Sequence, residues 1–168
     1  MSDDVVIDAR YCGPSETGNG GYVCGVIAKH VGANCEITLR QPPPLDQAMH
    51  ITPSDKGWHL LHDNAVIAEA RAIDSLEIDL ITAPSLDEAT RASKDYVGCK
   101  VHPFPRCYVC GPERHEDDGL HIFAGPLGRD NAVASTWTPK PETVGAWEAA
   151  CGTIVCGISR PSSFRRGR

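Results

Sequence analysis

The stretch 19–32, NGGYVCGVIAKHVG, constrains this chain more than any other, because it writes both ends of a helix into the sequence. Asn19 suits the N-cap, where its side-chain oxygen accepts from the free N–H groups of the first turn. Gly32 suits the left-handed position just past the end, and Lys29 and His30 put positive charge in the last turn. Val23, Ile27 and Val31 repeat every four residues, with Cys24 and Val26 beside them, so one face is apolar. Gly20, Gly21, Cys24, Gly25 and Ala28 are small, and Gly25 costs the helix about 1 kcal/mol relative to alanine. Such a helix is expected to lie close to another backbone. The glycine pair leaves the first-turn amides uncovered, a ready acceptor site for an anion or a polarised carbonyl.

The 168 residues suffice for one domain, or for a small domain plus a fragment. A net charge of −6 with no broad basic face argues against nucleic acid as a partner. No apolar run approaches the roughly 20 residues that span a bilayer, so no membrane partner is expected. The acidic Met1-Ser2-Asp3-Asp4 start lacks the features of a signal peptide, which points to the cytoplasm and to eight reduced cysteines. A disulfide framework is the competing reading, favoured in shorter secreted chains.

Val5–Tyr11 reads as a first strand, followed by a Gly/Pro-marked loop into the helix. After the helix, residues 34–40 alternate Cys35, Ile37 and Leu39 against Glu36, Thr38 and Arg40. Pro42-Pro43-Pro44 interrupts the pairing, and Leu45–Thr52 resumes it as far as Pro53. Trp58–His62 and Ala65–Ile73 are further strands joined by the turn residues Asp63-Asn64, and Ser75–Ile81 extends the last or starts another. Strand, helix and a run of antiparallel strands is an α+β pattern with one helix covering one sheet.

The order strand, loop, Gly-Asn-Gly-Gly-Tyr helix, then Cys-Glu-Ile-Thr-Leu-Arg-Gln-Pro-Pro-Pro-Leu and a meander resembles the first half of double-hotdog acyl-CoA thioesterases, over about residues 5–80. The resemblance implies a hotdog unit at 1–82, a curled antiparallel sheet around a central helix. A linker with a short helix follows at 83–106, where Ser85 is the N-cap of a helix running to Lys94. The run Cys-Tyr-Val-Cys-Gly-Pro, then Gly-Leu-His-Ile and a strand at 132–138 ending Trp-Thr-Pro, resembles the opening of a second hotdog unit, partial, at 107–156. Glu142–Ala150 is the candidate second helix, and 157–168 a basic tail too polar to bury a core. A truncated or out-of-frame end and a genuine short tail both account for that composition.

As a thioesterase-like protein the chain is expected to take an acyl-CoA or related acyl thioester, as a homodimer, with no required cofactor. The Asn19, Gly20, Gly21 and Tyr22 turn would bind the thioester, its amides stabilising the developing oxyanion. Packing glycines are the plainer reading of that turn. The catalytic base or nucleophile stays unassigned: the helix holds no Asp or Glu, Glu142 and Glu148 match no motif, and Glu16 and Asp46 read as solvated loop charges. Two other functions are open, a non-catalytic acyl-binding or assembly module and a small zinc-stabilised protein. For the last, Cys99, His102, Cys107 and Cys110 have the types and spacing of a Cys3His site. A redox reading of Cys107 and Cys110 lacks a helix starting at Cys107 to favour its thiolate.

Overall fold

The computed structural model describes residues 3–32, 34–75 and 82–139. Contacts divide the chain into two units, 1–78 with 103–119 and 79–102 with 120–168. The candidate helix at 142–150, most of the expected 75–81 strand and the basic tail lie outside the described residues.

The first unit is α+β. Helix α1 (Gly20–Val31) covers an antiparallel sheet of β1 (Asp3–Val6), β2 (Cys35–Leu39), β3 (Ala48–Ser54), β4 (Gly57–His62) and β5 (Ala65–Ala72). The strand order is β1-β3-β4-β5-β2, so the strands flanking α1 in sequence are the two sheet edges. Asp63 and Asn64 both take positive φ, 46° and 66°, the geometry of a tight hairpin turn between β4 and β5. The apolar stripe of α1 meets the sheet. Val23 and Ile27 are buried with Met49, Ile51, Leu60, Ile67, Ala68 and Ala70. Burying each of these two helix side chains is worth about 1.5–3 kcal/mol, which fixes the face α1 presents to the sheet. Across β2 and β5 the alternation puts Ile37 opposite Ala70 and, on the other face, Glu36 opposite Arg71. That outer face carries the exposed pairs Arg71–Glu36 at 3.0 Å and Arg40–Glu69 at 2.6 Å.

Three expectations are corrected. The first strand stops at Val6 rather than Tyr11, because Asp8 caps a 3-10 turn at Ala9–Tyr11, its side chain accepting from the Arg10 N–H. The strand expected to end at Thr52 runs through Pro53, which pairs with Trp58 beyond the described β1–β3 ladder. Gly25 does not mark a close backbone approach: it is exposed, with nothing within 4 Å of where a Cβ would stand. The proline triplet does bend the chain from the ladder, and the Pro43 carbonyl accepts from Gly18 N–H at 2.8 Å beside the helix start.

In the second unit, α2 (Leu86–Lys94) has a full capping box: Ser85 accepts from the Glu88 N–H while the Glu88 side chain accepts from the Ser85 N–H. Ala89 and Ala92 are buried with Ala134. Only β6 (Gly125–Pro126) and β7 (Val133–Ala134) pair there among the described residues, so the strand expected over 132–138 is reduced to two residues.

Candidate functional site

Asn19 caps α1 as its sequence requires. Its Oδ1 accepts from Tyr22 N–H at 3.1 Å, and Gly32 closes the other end at φ 70° with its N–H bonded to Ala28 O at 3.0 Å. Of the four turn residues, Tyr22 thus has its amide engaged by the cap. The amides of Gly20 and Gly21 make no hydrogen bond among the described residues, as the first turn of a helix leaves them. Gly20 lines a cleft of about 460 Å³ with Pro14, Thr17, Leu39, Pro42 and Pro43, and Arg40 is the charged member of its wall. A wider cleft of about 560 Å³ lies on the charged face of the sheet among Glu36, Arg40, Trp58, Glu69 and Arg71. Its arginines already hold carboxylates, so the smaller and more apolar cleft at the helix start is the better ligand site.

Three tyrosine rings pack together beside the turn. The Tyr11 and Tyr22 rings stack at 3.9 Å with 7° between planes, and Tyr108 meets them edge-on at 4.9 and 6.1 Å. Burial and the neighbouring Tyr11 push the Tyr22 hydroxyl up to about 12, so it stays protonated at neutral pH. Arg114 lies over the Tyr108 ring at 5.5 Å and binds both the Asp118 carboxylate and the Arg10 carbonyl. Burial pushes the Asp118 carboxyl up, but the hydrogen bonds from Arg114 and Arg10 outweigh it and hold the acid below its ordinary range. Asp118 is therefore a structural anion, already saturated by two guanidiniums.

These contacts join segments far apart in sequence. Residues 103–119, expected partly in the linker and partly at the head of a second unit, cluster by contacts with the N-terminal residues. The Tyr108 N–H donates to Cys12 O at 2.7 Å, Cys12 Sγ donates to Arg106 O at 3.3 Å, and Asn19 Nδ2 donates to Cys107 Sγ at 3.5 Å. Asn19 therefore serves two partners, the helix amide through its oxygen and the thiol through its nitrogen.

Around Cys107 the chain makes a single turn, closed by Gly111 N–H bonding to Cys107 O at 2.8 Å. A Cβ at Gly111 would stand 2.5 Å from Cys107 N and from Pro105 O, so the glycine is what lets the turn close this tightly. Cys110 Sγ donates to Cys107 Sγ at 3.5 Å. That bond, helped by the N–H groups of Cys110 and Val109 and by Asn19 against the opposing effect of burial, brings the Cys107 thiol down to about 5. No long helix is needed to favour the thiolate, since a short turn and one distant asparagine supply the donors.

Of the candidate metal set, Cys99 and His102 fall in one unit and Cys107 and Cys110 in the other. Among the described residues no three His, Cys, Asp or Glu side chains form a group able to hold a metal ion.

The chain matches no family model, no curated protein and no solved structure. The residues that sequence reasoning missed here are Tyr11, Tyr108 and Arg114, which hold the turn in place. The Gly-marked Cys-x-x-Cys-Gly stretch was a signal for a tight turn, but nothing local tied it to Asn19.

Proposed function

We propose that this protein is a thioesterase-like hotdog protein that binds an acyl thioester of the acyl-CoA type. The carbonyl would sit at the unengaged amides of Gly20 and Gly21, and the acyl chain would run into the apolar cleft beside Leu39, Pro42 and Pro43. The observation that carries this reading is the meeting of those two features at Gly20, whose amide makes no hydrogen bond among the described residues and which lines the cleft. A helix packed on a five-stranded antiparallel sheet of order β1-β3-β4-β5-β2 supports the hotdog assignment. Two uncovered amides polarise a thioester carbonyl and hold it without any charged partner.

Binding is the primary activity proposed. Hydrolysis needs a group that attacks or activates water, and α1 carries no carboxylate. Among the described residues β1 and β2 each pair on one side only, and a homodimer is an arrangement that covers one of these edges. The test is calorimetric titration of the full chain with short-, medium- and long-chain acyl-CoAs, alongside release of free CoA from each. Saturable binding that tightens with chain length is expected. Equal, unsaturable responses to every acyl-CoA and to CoA alone would remove the proposal. Release of CoA at a rate set by chain length would extend it to catalysis.

A further inference from the structure

The acyl site leaves one built feature unused, the pair of thiols behind the helix cap. None of the six described cysteines, Cys12, Cys24, Cys35, Cys99, Cys107 and Cys110, is in a disulfide. The sulfurs of Cys107 and Cys110 are in hydrogen-bond contact, at 3.5 Å. They are three apart on a turn closed by an i to i+4 backbone bond, which sets side chains so spaced one above the other. Closing a bond of about 2.05 Å from that separation needs about 1.5 Å of combined sulfur movement. Cys107 is buried at 5% exposure, while Cys110 is partly exposed, so a reagent reaches Cys110 first.

We propose that Cys107 and Cys110 are a redox-active dithiol that closes to a disulfide by exchange with a low-molecular-weight disulfide, and that closure disturbs the cap of α1. In the first step the Cys110 sulfur attacks one sulfur of the external disulfide. A Cys110 mixed disulfide forms, and one reagent thiol departs with the Cys110 proton. In the second step the Cys107 thiolate attacks the Cys110 sulfur, the mixed bond breaks, and the second reagent thiolate leaves and takes a proton from solvent. Two electrons pass from the protein's two thiols to one external disulfide, giving one intramolecular disulfide and two reagent thiols. A neutral disulfide sulfur is a poorer acceptor than a thiolate, so Asn19 Nδ2 loses the partner that orients its amide. The oxygen of that same amide holds Tyr22 N–H. Oxidation at 107 and 110 is thereby transmitted to the helix start, whatever ligand that start receives.

The test takes the full chain through buffers of stepped reduced-to-oxidised glutathione ratio, quenches in acid, alkylates, and maps each cysteine by mass spectrometry. Cys107 and Cys110 are expected to lose alkylation together, at one midpoint and with a two-electron dependence, as a single linked peptide. Cys24 and Cys35 should remain alkylated at that midpoint. Hydrogen exchange at the Tyr22 amide should speed up several-fold in the oxidised form. The Cys107→Ser variant should stop at the glutathione adduct on Cys110. The dithiol assignment falls if wild-type protein accumulates only that adduct, or if the two thiols oxidise at separate midpoints. It falls equally if the protein purified without chelator holds a stoichiometric metal that blocks both thiols. Unchanged exchange at Tyr22 in the oxidised form would sink the coupling to the cap.

Discussion

Gly20→Pro is the sharpest perturbation of the helix start, because it deletes one amide hydrogen without deleting the helix. Gly20 is the first helical residue of α1, where proline is well tolerated since that N–H has no helical partner. The residue before a proline must be extended, and Asn19 already is, at φ −60° and ψ 125°. Gly20→Ala is the matched control. Both variants add a Cβ that would stand 3.1 Å from Leu39 Cδ1, the far end of a flexible side chain that can give by a few tenths of an ångström. Any loss common to both belongs to that crowding and to the narrowed cleft. The excess loss in Gly20→Pro measures the amide. A neutral hydrogen bond is worth about 0.5–1.5 kcal/mol, so the acyl-CoA dissociation constant should rise about 2- to 12-fold above that of Gly20→Ala. Should CoA release prove catalytic, deleting one oxyanion donor should cost roughly 100- to 1,000-fold in kcat over the same control. Thermal melts should place the proline variant within about 1 kcal/mol of the alanine one. Equal affinity and equal turnover in two folded variants would refute the placement of a carbonyl at this amide.

Asn19→Ala should destabilise the first unit by about 0.5–2 kcal/mol in denaturant melts, the cost of an N-cap. Asn19→Asp should keep most of that stability while raising the Cys107 thiol, since it retains the cap oxygen but replaces the donor with a carboxylate. The Cys107 thiol lies well below its ordinary value in the folded chain, so the folded state binds fewer protons than the unfolded state between the two values. Its contribution to stability is therefore full at alkaline pH and is lost as pH falls toward about 5. Ultraviolet thiolate absorbance should show that low transition in the reduced protein, and Cys107→Ser should abolish it. Gly57→Ala should destabilise the β3–β4 turn by a few kcal/mol in denaturant melts, because φ is 141° and a Cβ would stand 2.1 Å from Ala70 O. A melt within 0.5 kcal/mol of wild type, the scatter of ordinary surface changes, would contradict that turn geometry.

The elements that could be read from the chain are those whose instructions are local. Asn19 and Gly32 cap α1, Asp63-Asn64 turns the β4–β5 hairpin, and Ser85 with Glu88 caps α2, each within a few residues of what it controls. Where two local signals compete, sequence pattern was a weaker guide. Val5–Tyr11 has strand composition, yet Asp8 bonds its own backbone two residues on and bends the chain out of the sheet. Gly25 shows the limit of composition, since a small residue in a helix is compatible with a close neighbour but does not create one.

The tertiary structure alone decided what stands behind the helix start. Asn19 and Cys107 are separated by 88 positions, and no periodicity, cap rule or turn preference acts over that distance. Their contact follows from burial of Tyr108 against Tyr11 and Tyr22 and from the Arg114 clamp on Arg10 and Asp118. A helix cap is set by neighbours that share a few backbone dihedrals, so sequence determines it. The company a cap keeps is set by which distant side chains exclude water together, and that is settled only when the whole chain packs.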